Sequence, residues 1–121
     1  MSACCSAGFR SSADTHFNAK IAAKELADYR KAGAGVTTRF LRDLVIETRG
    51  ADRMLLDVGC GIGALTFELL EHGMNQAVSV DASAAYLAAA SEEAARRGAS
   101  AAIRFVPGDF STADVYLRVK D

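Results

Sequence analysis

The sequence predicts an α/β fold: a Rossmann-like parallel sheet of about four strands with flanking helices, preceded by two leading helices. Three short apolar runs have the length and composition of buried strands: 54–58, 77–80 and 102–106. Helical patterns over 64–72 and 83–97 separate these runs. Strands that alternate with helices are typical of right-handed βαβ units, in which the strands lie side by side and parallel.

The two leading helices are predicted from apolar spacing and from stop signals. Residues 17–32 place apolar side chains on one helical face, and Gly33 ends the pattern. Thr37 or Thr38 is the predicted cap of the second helix. That helix ends at Gly50.

Length and composition indicate a single domain. The chain has 121 residues, of which 50% are hydrophobic and 24% charged, as expected of a globular protein. Residues 1–15 are small and polar and are predicted to be disordered, which leaves 16–121 as the folded part. Near its end, the run 114–119 is a candidate for a fourth strand.

Charge and cysteine content exclude several classes of partner. The net charge of −1 argues against nucleic acid, and no apolar run reaches the ~20 residues that span a bilayer. No secretory signal pattern is present. The cysteines Cys4, Cys5 and Cys60 fit free thiols in a reducing cytoplasm, because adjacent cysteines rarely pair. Only His16 lies near the first two, so no metal site is predicted.

The helix after the second predicted strand carries its own signals. Ser83 is its predicted N-cap. Glu92 with Arg96, and Glu93 with Arg97, are four residues apart and are predicted to form ion pairs on the outer face.

A glycine turn follows the first predicted strand. Gly59 permits a tight turn, Gly61 lets the backbone approach a ligand, and Gly63 allows close packing of the next helix on the strand. Cys60 is interpreted as a small filler. Because Gly59, Gly61 and Ala64 also fit a looser dinucleotide fingerprint, the glycines alone do not decide the ligand.

Three carboxylates lie at the ends of three consecutive predicted strands. Asp57 would repel a pyrophosphate but suits a ligand with a positive amino group. Asp81 comes about twenty residues after the turn, where an acid can hold ribose hydroxyls. Asp109 can accept from an adenine amino group, with Phe110 as a ring contact. Each acid has an alternative interpretation: a helix cap for Asp57 and Asp81, and simple turn chemistry for Asp109.

These residues resemble the motifs of class I S-adenosylmethionine-dependent methyltransferases. Residues 57–63, Asp-Val-Gly-Cys-Gly-Ile-Gly, resemble the first motif, 80–83 the second and 108–110 the third. The resemblance covers roughly 52–110. The stretch 17–39 is similar to the leading helices of a bacterial subset related to magnesium-protoporphyrin O-methyltransferase.

The resemblance implies S-adenosylmethionine as the cofactor and assigns its contacts. Asp57 would bind the methionine amino end, usually through water. The glycine turn would line the methionine, the second motif would hold the ribose and the third the adenine. The implied cofactor-binding residues are Asp57, Gly59, Cys60, Gly61, Gly63, Asp81, Ala82, Asp109 and Phe110.

The resemblance also marks what is missing. Members of the family have about seven strands, so this chain is predicted to be incomplete, with most of the acceptor site absent. The predicted function is therefore the cofactor-binding portion of a methyltransferase that acts on a small-molecule acceptor, with no catalytic residue assigned. Two alternatives remain: an NAD-binding Rossmann domain of an oxidoreductase, and a non-catalytic fragment that self-associates through an exposed sheet edge.

Overall fold

The computed structural model describes residues 18–49, 54–109, 111, 115 and 118. Its helices are α1 (Ala19–Ala32), α2 (Val36–Arg49), α3 (Ala64–Glu71) and α4 (Ala84–Arg96), with a short 3-10 turn at Ser100–Ala102. Its strands are β1 (Met54–Val58), β2 (Gln76–Asp81) and β3 (Ile103–Pro107). Predictions that concern Cys4, Cys5, His16, Phe17 and Phe110 lie outside the described residues. Among the described helices, none has the length and apolar character needed to cross a membrane.

The sheet confirms the predicted parallel arrangement. Its order is β1-β2-β3, with both neighbouring pairs parallel. Val58 lies opposite Val80, and Asp81 lies opposite Pro107. The carboxyl ends of the three strands therefore meet at one edge, which is where open α/β sheets bind their ligands.

The prediction of a fourth strand over 114–119 is wrong at the two residues of that run that the structure describes. Val115 and Arg118 are helical, so the described sheet has three strands. Val115 is buried against Val78, Val80 and Val106 on one face of the sheet, and Arg118 is exposed. A run this short does not distinguish a strand from a helix by its apolar pattern alone.

The predicted start is confirmed for one helix and wrong for another. Ser83 caps α4, as predicted, since its hydroxyl accepts from the backbone N–H of Tyr86 at 3.2 Å. The predicted threonine cap of α2 is wrong, because the helix begins at Val36 and its first turn already contains Thr37 and Thr38. The Gly35 carbonyl accepts the hydrogen bond from Arg39 N at 3.0 Å instead.

One predicted ion pair lies in the interior rather than on the surface. Glu93 is fully buried because α1 packs on the face of α4 that carries it. Its carboxylate accepts from Arg30 Nε at 3.1 Å, from Arg96 Nη2 at 2.9 Å and from Arg97 Nε at 3.2 Å. Glu92 does remain exposed, but its described ion pair is with Arg30, at 3.6 Å, rather than with Arg96. The predicted Glu93–Arg97 pair therefore forms, but in the interior, and the predicted pairing of Glu92 with Arg96 is wrong, since Glu92 pairs with Arg30.

A second group of contacts joins the leading helices to α3. The Arg97 guanidinium lies over the rings of Tyr29 and Phe67, 5.0 and 4.8 Å from their centroids. Tyr29 donates its hydroxyl hydrogen to Glu68, and Arg42 of α2 donates to the same carboxylate, both at 2.9 Å. These contacts position α1 and α2 on the helical side of the sheet, since α3 packs on β1 and β2.

Acid is expected to weaken the fold through Glu93. Hydrogen bonds from Arg96, and then from Arg30 and Arg97, lower the pKa of Glu93 from 4.5 to about 2 despite its burial. Because the pKa is lower in the folded state, this stabilisation is complete above pH 4.5 and is lost as the pH falls through about 2. When the free energy of unfolding is measured with urea at several pH values between 5 and 2, it should fall more steeply with decreasing pH in the wild type than in Glu93→Gln. The same pH dependence in both proteins would contradict this role of Glu93.

Candidate functional site

The glycine turn connects β1 to α3 and is anchored to β2. The backbone N–H groups of Gly59 and Cys60 both donate to the Val80 carbonyl, at 2.8 and 3.0 Å. Gly61 and Gly63 have φ of +58° and +91°, in the left-handed region that side chains other than glycine rarely adopt. The turn thus projects beyond the sheet at the carboxyl end of β1.

Two glycines of this turn serve different purposes. A Cβ at Gly63 would lie 3.2 Å from Phe67 Cε2 and 3.5 Å from Ala90 Cβ, so this glycine allows close packing of the start of α3 against α4. The sequence predicted packing of this helix on the strand, whereas the neighbouring helix is the contact. A Cβ at Gly61 would meet no atom within 4 Å. The space beside Gly61 is therefore open to a ligand.

Asp81 links the turn to the start of α4. One carboxylate oxygen accepts from Gly61 N and the other from Ser83 N, both at 2.8 Å. Each carboxylate oxygen can accept a further hydrogen bond, so the half-buried side chain retains capacity for a ligand hydroxyl. The helix cap is Ser83, and the alternative in which Asp81 itself caps α4 does not describe this geometry.

Asp57 accepts a hydrogen bond from the buried hydroxyl of Thr66, which in turn contacts the buried hydroxyl of Ser79. Its Oδ2 accepts from Thr66 Oγ1 at 3.0 Å, and Thr66 Oγ1 lies 3.2 Å from Ser79 Oγ. Burial raises the pKa of Asp57, the Thr66 hydrogen bond lowers it, and the nearby negative charge of Asp81 raises it again. Two interacting carboxylates next to an open glycine turn favour a cationic ligand, because a positive charge relieves their repulsion.

The sequence interpretation missed Thr66 and Ser79. The available signal was a serine within the otherwise apolar run of β2, since a buried hydroxyl in a strand requires a polar partner. Cys60 was predicted as a filler in the turn. Burial, and then the charges of Asp57 and Asp81, raise the pKa of its thiol, so the side chain is protonated at neutral pH. A protonated thiol beside two acids has no nucleophilic character.

Asp109 follows β3 and forms a turn of its own. Its Oδ1 accepts from the backbone N–H of Ser111 at 2.9 Å and from the Ser111 hydroxyl at 2.7 Å. This is the turn chemistry considered as the alternative for Asp109. Gly108 N donates to the Asp81 carbonyl at 3.0 Å, which holds the Asp109 turn beside the end of β2. Ala82 lies half-buried at the same end of the sheet.

A contact between distant segments borders this site. The buried Tyr86 of α4 donates its hydroxyl hydrogen to Glu25 of α1 at 2.6 Å. Burial, the Glu25 hydrogen bond and the charges of Glu25 and Asp81 raise the pKa of Tyr86, so the phenol stays protonated. No local pattern in the sequence indicates the contact of Tyr86 with Glu25, which lies 61 positions away. Helix α1 therefore lies against the start of α4, next to the site.

The site has a defined chemical character. It combines an open glycine turn, two carboxylates at adjacent strand ends and a third acid after β3. Negative side chains at these positions suit positive charge and hydroxyl donors and disfavour a pyrophosphate. Within the described ranges, no group of three or more His, Cys, Asp and Glu side chains is arranged to hold a metal ion.

The parallel sheet and the glycine turn define a Rossmann-like α/β protein. Residues 55–118 match a family described as the methyltransferase domain, and the chain belongs to that family. No curated protein sequence matches the chain significantly.

Several solved structures share the fold. A protein from Methanococcus maripaludis, described as a candidate S-adenosylmethionine-dependent methyltransferase, has a TM-score of 0.68 and 22% identity, covering 79% of this chain and 44% of its own. The cyclase SpnF has a TM-score of 0.55 and 32% identity, covering 62% of this chain and 28% of its own. A candidate RNA methyltransferase from Pyrococcus horikoshii has a TM-score of 0.56 and 18% identity, covering 62% and 38%. The chain thus spans less than half the length of each of these proteins.

Proposed function

We propose that this chain binds S-adenosylmethionine and is the cofactor-binding portion of a methyltransferase. The observation that carries the proposal is the pair of interacting carboxylates, Asp57 and Asp81, on either side of an open glycine turn. A sulfonium nucleoside with an amino-acid tail offers the positive charge and the hydroxyls that such an arrangement binds. Membership of the methyltransferase domain family supports the same cofactor.

The proposed contacts follow the order of the strand ends. Asp57 would attract the amino end of the methionine, and the turn of Gly59, Cys60, Gly61 and Gly63 would line its chain. Asp81, with Ala82 beside it, would accept from the ribose hydroxyls. Asp109 and Phe110 would contact the adenine, although the turn with Ser111 already uses one Asp109 oxygen.

The cofactor, when bound, supplies an activated methyl group on a sulfonium, which reacts by in-line displacement. The residues described here bind and orient it, and orientation alone can contribute ~7–11 kcal/mol to lowering a barrier. We assign no catalytic base. The His72 ring contacts the Glu68 carbonyl at the C-terminal end of α3, whereas the site adjoins its N-terminal end.

We infer a small-molecule acceptor. The net charge of −1 and the lack of a basic excess disfavour RNA, even though one similar structure is described as an RNA methyltransferase. The leading helices support membership of the bacterial subset related to magnesium-protoporphyrin O-methyltransferase. We do not extend the porphyrin substrate of that subset to this chain. The cysteine content supports a reducing, cytoplasmic setting.

Calorimetric titration tests the proposal against its main alternative. The chain should bind S-adenosylhomocysteine and not NAD, because Asp57 would repel a pyrophosphate. Binding of NAD alone would overturn the proposal in favour of an oxidoreductase domain. Since one similar structure is named a cyclase, the fold does not by itself specify the reaction, and a methyl-transfer assay with candidate acceptors separates cofactor binding from catalysis.

A further inference from the structure

Two buried hydroxyl groups form a chain that ends on the Asp57 carboxylate. Ser79 of β2 is 0% exposed and Thr66 of α3 is 1% exposed. We propose that Ser79 and Thr66 are positioning residues, which keep Asp57 ionised and leave one of its oxygens for the cofactor, so that cofactor binding depends on pH. The inference rests on the proposed function for the identity of the ligand, whereas the hydroxyl chain is a property of the fold.

The hydroxyl chain has a single direction when Asp57 is ionised. A hydroxyl group carries one hydrogen, and Thr66 donates its hydrogen to Asp57 Oδ2 at 3.0 Å. The 3.2 Å contact between Thr66 Oγ1 and Ser79 Oγ then requires Ser79 as the donor. Both hydrogens therefore point along the chain towards the carboxylate. Hydrogen bonds to a charged acceptor are stronger than those to a neutral one, so the chain favours the ionised form of Asp57.

Three elements of the fold bring the chain together. Asp57 of β1 and Ser79 of β2 lie opposite each other in the parallel register, so their side chains share a face of the sheet. Helix α3 packs on both strands and supplies Thr66, which contacts both side chains. The position of Asp57 Oδ2 is therefore set by the packing of α3 on the sheet.

The second oxygen of Asp57 remains available to a ligand. Among the residues that the structure describes, Thr66 is the only hydrogen-bond donor to this carboxylate, and it uses Oδ2 alone. The Asp57 side chain is half-buried and therefore partly accessible. An ammonium group can approach Oδ1 without displacing Thr66.

Packing alone does not require hydroxyl groups at these two positions. The neighbours of Ser79 along β2 are buried and apolar: Ala77, Val78 and Val80. Valine has nearly the shape of threonine, and a buried hydroxyl is costly unless it is hydrogen-bonded. The two hydroxyls find their partners in each other and in Asp57, so the chain serves the carboxylate rather than the contact of α3 with the sheet.

The remaining surroundings of Asp57 oppose its ionisation. Burial raises the pKa of Asp57, the hydrogen bond from Thr66 lowers it, and the negative charge of Asp81 raises it again. The thiol of Cys60 in the adjoining turn is protonated and brings no positive charge. As the pH falls, Asp57 takes up a proton and loses its attraction for an ammonium group. Cofactor binding is therefore expected to weaken in acid, and to weaken at a higher pH without Thr66.

The charged side chains of α3 are paired elsewhere. Glu68 forms an ion pair with Arg42 at 2.9 Å, and Glu71 forms one with Arg97 at the same distance. Thr66 is thus the polar side chain through which α3 acts on the Asp57 carboxylate.

Carbon-13 NMR of the aspartate carboxyl groups tests the chain in the absence of any ligand. The Asp57 signal is assigned by its loss in Asp57→Asn. Thr66→Val should move the titration of Asp57 to higher pH, and Ser79→Ala should move it in the same direction by less. Thr66→Ser keeps the hydroxyl and should titrate like the wild type. Adding Ser79→Ala to Thr66→Val should have no further effect, because Ser79 acts through Thr66. If Thr66→Val does not fold, Ser79→Ala against Thr66→Ser decides the question.

Calorimetric titration at pH 5 and pH 8 measures the consequence for the cofactor. At pH 5, Thr66→Val should bind S-adenosylhomocysteine about tenfold more weakly than the wild type. At pH 8 the difference should be smaller, because the Asp57 carboxyl is then ionised in both proteins. Thr48→Val is the matched control, since it removes an exposed threonine hydroxyl that donates to the Leu44 carbonyl within α2. It should bind like the wild type at both pH values.

The two measurements separate this inference from the proposed function. An Asp57 titration that neither Thr66→Val nor Ser79→Ala changes overturns the role of the hydroxyl chain. Equal weakening of binding at pH 5 and pH 8 also overturns it, because a purely structural role of Thr66 has no reason to depend on pH. If the wild type binds no S-adenosylhomocysteine while Thr66→Val still shifts the titration, the chain is confirmed and the proposed cofactor is wrong.

Discussion

The Asp81→Ala variant is expected to bind S-adenosylhomocysteine ten- to a hundredfold more weakly than the wild type. The change removes the proposed acceptor for the ribose hydroxyls, and unpaired polar groups of this kind cost about 1–3 kcal/mol. It also releases the backbone N–H groups of Gly61 and Ser83, which the carboxylate now holds at 2.8 Å. The glycine turn would lose its connection to the start of α4. Isothermal titration calorimetry measures the dissociation constant directly.

Asp28→Ala is the control for this variant. It removes the same charge from an exposed position on α1, where the ion pair with Lys24 lies on the surface. Binding should not change, because a solvent-exposed ion pair contributes little and Asp28 is not among the proposed cofactor contacts. If Asp81→Ala bound as tightly as the wild type while both variants kept the native far-ultraviolet circular dichroism, Asp81 would have no part in the site.

Glu93→Gln is expected to lower the free energy of unfolding by about 2–4 kcal/mol, since removing one member of a buried ion-pair cluster leaves its partners uncompensated. The carboxylate of Glu93 is fully buried and accepts from Arg30, Arg96 and Arg97. In the variant, three guanidinium groups would face a neutral amide. A loss of this size is a large part of the ~5–15 kcal/mol that stabilises a typical domain. Urea unfolding at neutral pH measures it.

The neighbouring residue supplies the matched control. Glu92 is exposed and lies 3.6 Å from Arg30, so Glu92→Gln should change the unfolding free energy by less than about 0.5 kcal/mol. Similar losses for both variants would mean that burial of the Glu93 carboxylate is not the source of its effect. S-adenosylhomocysteine binding by Glu93→Gln, measured at a temperature where the variant is folded, should match the wild type, because none of the proposed cofactor contacts involves Glu93 or its three arginine partners.

The sequence by itself determined the parts of the fold that depend on neighbouring residues. Apolar runs of four or five residues between helical patterns located all three described strands, and the glycine spacing located the turn. These features depend on backbone sterics and on local periodicity, which a single sequence displays. Because the strands were predicted to be parallel, Asp57 and Asp81 were expected at adjacent strand ends, and they lie there.

Only the tertiary structure decided which faces became interior and which segments met. Glu93 and Arg97 lie four residues apart, a spacing that suits an exposed pair as well as a buried one. Glu93 is buried because α1 packs on α4. Glu25 and Tyr86 meet across 61 positions, and the helical Val115 packs on the valines of β2 and β3. Contacts between distant segments depend on how whole elements pack, and no local pattern in the chain records that packing.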